Sequence, residues 1–173
     1  MNAYTIERRT QLERLIGLLS CNDLDESEIE RIAGVCVKAD AEPASTLADN
    51  YGVDAAQVAR YDPDGTTAFI IFTELEDYFA VADTVDELYE QVIDAFETPA
   101  LPEYPYDDND FQNISDFFRW VDQQLLLHHE KYCLISFGES YTNDFQVILV
   151  YRSDLPEILS LCATLEIQAE KCD

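Results

Sequence analysis

The histidines and cysteines are the residues whose types could support metal or nucleophilic chemistry, but their spacing favours neither. His128 and His129 are adjacent, so on a helix they point in different directions and cannot be the paired i, i+4 ligands of a zinc helix. A metal site that includes Glu130 is one interpretation, and a histidine cation favoured at a helix C-terminus is the other. The cysteines form no Cys-x-x-Cys pair, so neither a zinc site nor a disulfide framework is indicated. We expect reduced thiols, four of them beside apolar residues, at Cys21, Cys36, Cys133, Cys162 and Cys172.

Three segments begin like known functional motifs without completing them. Gly138–Thr142 starts like a nucleophile elbow but lacks the second glycine, so we expect a hairpin turn. Asp23–Ser27 has the first ligand positions of an EF-hand, but Glu28 replaces the required glycine and Gly34 the required glutamate. Asp62–Gly65 also resembles part of a calcium loop, but it has too few ligands for calcium and is typical of a turn. We therefore predict no catalytic residue, no metal site and no cofactor, and a protein that is not an enzyme.

Acidic residues give the chain a formal net charge of −26. Between Arg60 and Arg119 there are sixteen acids and no base, whereas residues 1–60 have eleven acids against six bases and residues 119–173 nine against four. This asymmetry favours a one-signed face, and the alternative is that the acidity serves only solubility. Because such a charge repels nucleic acid and anionic lipid, we expect a basic protein partner, with no direct nucleic-acid or membrane binding.

A proline-rich segment within this acidic region combines rings and carboxylates. Large aromatic side chains are good binding anchors, and surrounding carboxylates steer a basic partner toward them. The alternative is a solvated linker whose aromatic rings tuck back on the core. The candidate partner-binding residues are Glu97, Glu103, Tyr104, Tyr106, Asp107, Asp108, Asp110 and Phe111.

Hydrophobic periodicity, capping residues and turn signals predict the helices and strands. Helices are expected over Thr5–Ser20, Ser27–Ala39 with Ser27 as cap, Pro43 to Gly52, Thr84–Phe96 with a Thr84–Glu87 capping box, Ile114–His129, and Ser153–Leu165 with Ser153 as cap. Strands are expected over Ala68–Phe72, Tyr78–Ala82, Cys133–Phe137 and Phe145–Val150, and Ile167–Lys171 is either a last strand or a tail.

The order of these elements predicts an α+β fold. Phe69–Phe96 and Leu134–Leu165 share the order strand, turn, strand, helix, which suggests a weak internal ββα repeat. We expect an antiparallel sheet of about four to six strands built from two ββα units. Helices are expected mainly on one face, together with an N-terminal helical segment.

The length of 173 residues and the hydrophobic fraction of 47% favour a single folded domain over residues 1–173. Within it we distinguish a helical segment at 1–56, a first ββα unit at 57–96, an acidic Pro/Tyr loop at 97–113, and a helix with a second ββα unit at 114–173. The N-terminus has no apolar signal region and no run reaches the length of a membrane span, so a reducing cytoplasm is the expected compartment.

In size, acidity and the aromatic–acidic loop, the chain resembles small bacterial immunity proteins of toxin systems. The resemblance is to the class and involves no diagnostic motif. It implies a stoichiometric inhibitor whose carboxylates occupy a basic groove, such as that of a nuclease toxin, in place of nucleic acid. A cytosolic regulatory module that binds a small ligand or peptide is the alternative function, and the oligomeric state is not indicated by the sequence.

Overall fold

The structure, a computed structural model, describes residues 2–173, which form eight α-helices and four β-strands. The helices are α1 (Ala3–Leu19), α2 (Glu26–Ala41), α3 (Pro43–Tyr51), α4 (Ala56–Tyr61), α5 (Thr66–Glu74), α6 (Val85–Asp94), α7 (Ile114–His128) and α8 (Leu155–Thr164). The strands are β1 (Phe79–Ala82), β2 (Tyr132–Phe137), β3 (Phe145–Tyr151) and β4 (Ala169–Lys171). The predicted α+β class with an N-terminal helical segment is confirmed.

Polar side chains cap the N-termini of the first two helices. The Asn2 side chain accepts a hydrogen bond from the Thr5 backbone N–H at 2.8 Å. At α2 the Asp25 carboxylate accepts from the Glu28 N–H at 2.9 Å, so the prediction that Ser27 is the cap is wrong. Ser27 lies in the first turn and donates its hydroxyl to Asp25 at 2.7 Å. A carboxylate suits this position better because it also interacts favourably with the positive end of the helix dipole.

Other predicted helix boundaries are confirmed in part. Helix α3 begins with Pro43 and ends before Gly52, whose φ of 99° suits a glycine. Thr84 precedes α6 as predicted, but its side chain makes no capping hydrogen bond. The cap position of α8 is held by Asp154, and the predicted cap Ser153 lies in the short 3-10 turn before it.

Residues 68–72 belong to α5, so the predicted strand there is wrong. The Thr66 hydroxyl donates to the carbonyl of Pro63 at 3.1 Å and ties the preceding turn to the start of this helix. Ile70 and Ile71 are consecutive and both fully buried. An unbroken apolar run fits a buried helix as well as a buried strand, and packing against α2 selects the helix. The proposed ββα repeat is therefore not confirmed.

The four strands form one antiparallel sheet in the order β1-β3-β2-β4. Ala82 lies opposite Phe145, and Phe137 lies opposite Ala169. Strands β1 and β2 therefore end where β3 and β4 begin, beside the hairpin turn at residues 138–144. We call this edge of the sheet the hairpin end. The predicted hairpin is confirmed, and of the two alternatives for Ile167–Lys171 the structure shows a strand, which covers Ala169–Lys171.

Helices cover both faces of the sheet, so the prediction that they pack mainly on one face is wrong. Ile135 and Ile148 face a core built with α1, α2, α5 and α8. Leu134 and Val147 face a second core built with α6 and α7. Neighbouring residues of a strand point to opposite faces, and Cys133, Leu134 and Ile135 are all buried. Their unbroken apolar run is typical of a strand covered on both sides.

All five cysteines of the described chain are free thiols, and four of them are buried. Burial raises the pKa of Cys36, Cys162 and Cys172 to about 12. A thiol becomes nucleophilic only as the thiolate, so these three side chains act as small core residues.

The open edge of β1 is blocked by a glutamine side chain. Gln91 of α6 accepts a hydrogen bond from the Val81 N–H at 3.0 Å and donates one to the Val81 carbonyl at 2.7 Å. The amide thus occupies the two backbone groups of Val81 that a further strand would use. Unprotected edge strands pair readily with other chains, so this contact disfavours self-association.

Replacing Gln91 with alanine is expected to expose the β1 edge. We expect a loss of about 1 kcal/mol in the free energy of unfolding and concentration-dependent self-association. Light scattering over a range of protein concentrations measures the association. Glu90→Gln, a change at the neighbouring exposed position, is the control. Association that is the same in both variants would contradict a protective role for Gln91.

Candidate binding surface

The connection between α6 and α7 is held against the protein by side chains outside it. The buried Tyr89 donates its hydroxyl to the Pro102 carbonyl at 2.6 Å. His129 Nε2 lies 2.6 Å from the Pro99 carbonyl, and its ring stacks on Phe96 with centroids 3.9 Å apart. A carbonyl can only accept, so this histidine nitrogen must be the donor. His129 thus anchors the loop.

Two of the predicted aromatic anchors face inward. The Tyr104 ring lies 6.3 Å from Tyr89 and 6.1 Å from Phe117, between centroids. The Phe111 ring lies 6.0 Å from Phe117 and 5.9 Å from Trp120. Both rings are half-buried against the α6–α7 core. For these two residues the structure favours the alternative that the aromatic rings tuck back.

Tyr106 is the aromatic residue of the loop that remains available. Its side chain is 62% exposed, and its ring meets the edge of Tyr104 with centroids 4.8 Å apart. The Tyr106 hydroxyl donates to Asp86 in the first turn of α6 at 3.1 Å. This hydrogen bond to a carboxylate raises the pKa of Tyr106. Sequence reasoning missed Asp86, although the acids recurring along α6 were a signal for an acidic helix face.

The predicted acidic residues of the loop all lie at the surface. Asn109 braces the loop from within, since its side-chain amide donates to the Pro105 carbonyl at 2.6 Å and accepts from the Phe111 N–H at 3.2 Å. The loop has five exposed acids, and among residues 2–173 none of their carboxylates has an ion-pair partner. The exposed acids are Glu97, Glu103, Asp107, Asp108 and Asp110.

Most of the uncompensated acids of the central region stay unpaired in the fold. Two of these sixteen acids form ion pairs: Glu74 pairs with Arg31, and Asp116 pairs with Arg119. Within the part of the chain that the structure describes, none of the other fourteen forms an ion pair. We use the name acidic loop for residues 97–111. Its carboxylates face solvent and have no ion-pair partner among residues 2–173.

Within residues 2–173, the bases that flank the sheet lie at only one of its ends. At its hairpin end, acids follow β1, begin α6, occupy the hairpin turn and precede β4. They are Asp83, Asp86, Glu139, Asp144 and Glu166. The opposite end has acids too, at Asp77, Glu130, Asp154 and Asp173. The bases next to the strands all lie at that end, before β2, after β3 and at the end of β4. They are Lys131, Arg152 and Lys171. The hydrogen bond between Tyr106 and Asp86 places part of the acidic loop near the hairpin end of the sheet.

The segments that resembled metal sites have structural roles. Asp25 caps α2, and the nearby Asp23 accepts a hydrogen bond from the Tyr78 hydroxyl. His129 stacks on Phe96 and donates a hydrogen bond to the Pro99 carbonyl of the loop. Over residues 2–173 no three His, Cys, Asp or Glu side chains come together in a way that could hold a metal ion.

Comparison of the chain with family models, with curated proteins and with solved structures finds no match. No helix within residues 2–173 combines the length and the apolar character that crossing a bilayer requires.

Proposed function

We propose that this chain is a non-enzymatic binding protein that recognises a basic protein surface and acts as a stoichiometric inhibitor of the immunity-protein kind. One observation carries the proposal: the exposed Tyr106 and five exposed, unpaired carboxylates share a loop that is fixed at several points.

Loop anchoring favours binding because ordering a flexible loop opposes association. Tyr89, His129 and Asn109 each hold one part of the backbone between α6 and α7. The inward Tyr104 and Phe111 rings add packing beneath it. A loop that is already ordered loses little further entropy when a partner docks on it.

The distribution of charge favours a basic partner. With a net charge of −26 and a hairpin end whose flanking charged residues within residues 2–173 are all acidic, the field attracts cationic surfaces and repels anionic ones. Carboxylates around an aromatic residue increase the rate of encounter and select the sign of the partner. A nuclease toxin has such a surface, since its groove must attract phosphate, and carboxylates in that groove would exclude nucleic acid.

A second candidate function, small-ligand binding, is favoured by a separate observation. A cavity of about 400 Å³ opens at the hairpin end of the sheet, between α5 and the 138–144 turn. Its size falls in the range of small-molecule sites.

Retention of basic proteins by the immobilised chain tests the proposal. Cell extract of the source organism is applied at about 50 mM NaCl and eluted up to about 500 mM, because salt screens exposed charges. We expect a basic protein to be retained at low salt and released at high salt. The retained basic protein, once purified, should form a one-to-one complex with the chain. The absence of any retained basic protein at low salt would overturn the proposal.

A matched pair of variants locates the contact. Asp107→Asn/Asp108→Asn/Asp110→Asn removes three charges from the acidic loop. We expect it to weaken binding about tenfold or more, because carboxylates in an interface contribute both steering and pairing. Glu30→Gln/Asp49→Asn on α2 and α3, with Asp54→Asn in addition, removes the same charge elsewhere on the exposed surface.

The control triple variant should change the affinity far less than the loop variant, since the net charge of the two is equal. Equal weakening in both would mean that only the total charge matters, and the loop would not be the contact. Thermal unfolding of both variants confirms that each remains folded.

A further inference from the structure

Three segments that are distant in sequence enclose the cavity at the hairpin end. The turn Asp62–Gly65 leads into α5 on one side, and the 138–144 hairpin lies on another. Residues 166–168, between α8 and β4, complete the wall. The first two segments are the ones whose sequences began like a calcium loop and a nucleophile elbow. The volume of about 400 Å³ is sufficient for a small organic molecule.

The interior of the cavity is apolar and partly aromatic. Tyr141 stands beside this surface, with its ring centroid 6.3 Å from that of Phe69 at an interplanar angle of 60°. Aromatic faces carry negative potential and attract cations as well as apolar groups. The apolar lining residues are Ala68, Phe69, Phe72, Val81 and Ile167.

Every charged residue that lines the cavity within residues 2–173 is acidic. They are Asp62, Asp64, Glu139 and Glu166. In that same described part of the chain, the carboxylates of Asp64, Glu139 and Glu166 have neither an ion-pair partner nor a side-chain hydrogen bond. The charge around the cavity is therefore negative and uncompensated.

A hydrogen bond between two of the wall segments fixes the shape of the cavity. The Tyr141 hydroxyl donates to Asp62 Oδ2 at 2.9 Å. A Cβ atom on Gly65 would lie 2.1 Å from the same oxygen and 2.7 Å from the Tyr141 hydroxyl. Glycine at position 65 thus allows the carboxylate to fold over the turn and meet the tyrosine. Burial, and then this hydrogen bond, raises the pKa of Tyr141.

The arrangement of the acids suits an organic cation better than a metal ion. Calcium needs six to eight oxygen ligands around one point, and no three acids among the described residues converge in that way. Here the carboxylates are spread around an apolar, aromatic interior. A cation with an alkyl body can bury that body against Phe69 and Phe72 while its charge meets the carboxylates.

We propose that this cavity binds a small organic cation, a guanidinium or primary ammonium group carried on a short alkyl chain. The site does not depend on the proposed function, because it is built from residues other than those of the acidic loop. A free amine and an arginine or lysine side chain share this chemistry.

A matched pair of ligands tests the site. Butylguanidinium and butylurea have nearly the same shape and differ in charge, and each is titrated into the ¹⁵N-labelled protein. We expect saturable shifts at Gly65, Gly138 and the Gln146 side chain, which border the cavity, with butylguanidinium binding about tenfold tighter. Equal binding of butylurea, or shifts confined to the acidic loop, would overturn the proposal.

A matched pair of variants tests the charges. Asp64→Asn/Glu139→Gln leaves the bond between Tyr141 and Asp62 in place, so the cavity keeps its shape. We expect about a fivefold to tenfold loss of affinity for butylguanidinium. Glu30→Gln/Asp49→Asn carries the same change in charge on α2 and α3 and should bind as the unmodified protein does. Equal losses in the two variants would contradict a local site.

Two further ligands distinguish the sources of the cation. Agmatine represents a free amine, and N-acetyl-arginine N-methylamide represents a side chain on a polypeptide. Tighter binding of either one supports the site and indicates its source, and failure of both to bind overturns it. The variant Asp107→Asn/Asp108→Asn/Asp110→Asn should leave these affinities unchanged, which separates this test from that of the proposed function.

Discussion

Replacing Tyr89 with alanine is expected to lower the free energy of unfolding by about 3–5 kcal/mol. The Tyr89 side chain is fully buried, and its ring centroid lies 5.0 Å from that of Trp120 and 6.5 Å from that of Phe117. Its hydroxyl also holds the Pro102 carbonyl at 2.6 Å. Truncation removes the packing of the second core and an anchor of the acidic loop in one step.

The variant Tyr89→Phe separates these two contributions. It keeps the ring and leaves the Pro102 carbonyl without its donor, so we expect a loss of about 1–2 kcal/mol. Urea unfolding followed by fluorescence gives the free energies, and limited proteolysis reports cleavage within residues 97–111. Both Tyr89 variants should be cleaved faster in the loop than the unmodified protein.

Tyr106→Ala is the control for this series because Tyr106 belongs to the same loop but is 62% exposed. We expect its unfolding transition to stay close to that of the unmodified protein. A loss as large as that of Tyr89→Ala would show that the exposed ring is structural. In that case the Tyr106 ring would be part of the structure of the loop and not an anchor left free for a partner.

The second large effect is expected at Asp122, which joins three elements through one carboxylate. Asp122 on α7 accepts from Arg152 Nη2 at 2.9 Å and from Lys171 Nζ at 3.0 Å, and its side chain is only 15% exposed. Asp122→Asn removes the only acidic partner that Arg152 has among residues 2–173 and the nearer of the two partners of Lys171, which also lies 3.8 Å from Asp173. We expect a loss of about 2–3 kcal/mol, below the range for fully buried pairs because the two cations are partly exposed.

The effect of Asp122 should depend on pH in a defined direction. Burial by itself would raise the pKa of Asp122, but the hydrogen bonds from Arg152 and Lys171 outweigh it, and the pKa is lowered. A lowered pKa in the folded state stabilises the protein above the unfolded pKa of about 3.9, and this stabilisation is lost as the pH falls through the folded pKa. The difference between the unmodified protein and Asp122→Asn should therefore be full at pH 7 and smaller at about pH 3.

Glu157→Gln provides the comparison for Asp122→Asn. Glu157 forms an ion pair with Arg14 at 2.6 Å, but about half of each side chain is exposed to solvent. Exposed pairs are screened by water and salt, so this variant should unfold almost as the unmodified protein does. A difference for Asp122→Asn that does not shrink toward low pH would contradict the role assigned to its carboxylate.

Local patterns were sufficient for most of the helices and strands. The apolar stripe of α1, the proline and glycine that bound α3, and the apolar runs of β2 and β3 predicted those elements within a few residues. Each of these signals arises from residues a few positions apart, which is the range over which capping and periodicity act.

The errors have a common origin in contacts that local patterns do not contain. The run Ala68–Phe72 is compatible with two kinds of buried element, and packing against α2 selected a helix. The cap of α2 is Asp25, although serine is also a favoured capping residue, because the helical backbone begins directly after the aspartate. The second layer of helices on the sheet follows from tertiary packing of α6 and α7.

The sequence by itself determined the sign of the surface and the place of the acidic loop in the chain, because charge and proline content are properties of the residues alone. Only the tertiary structure decided that Tyr104 and Phe111 turn inward while Tyr106 stays exposed. It also brought Asp62 and Tyr141 together around one cavity. These outcomes depend on packing between segments that are far apart in sequence, and no short-range pattern encodes such contacts.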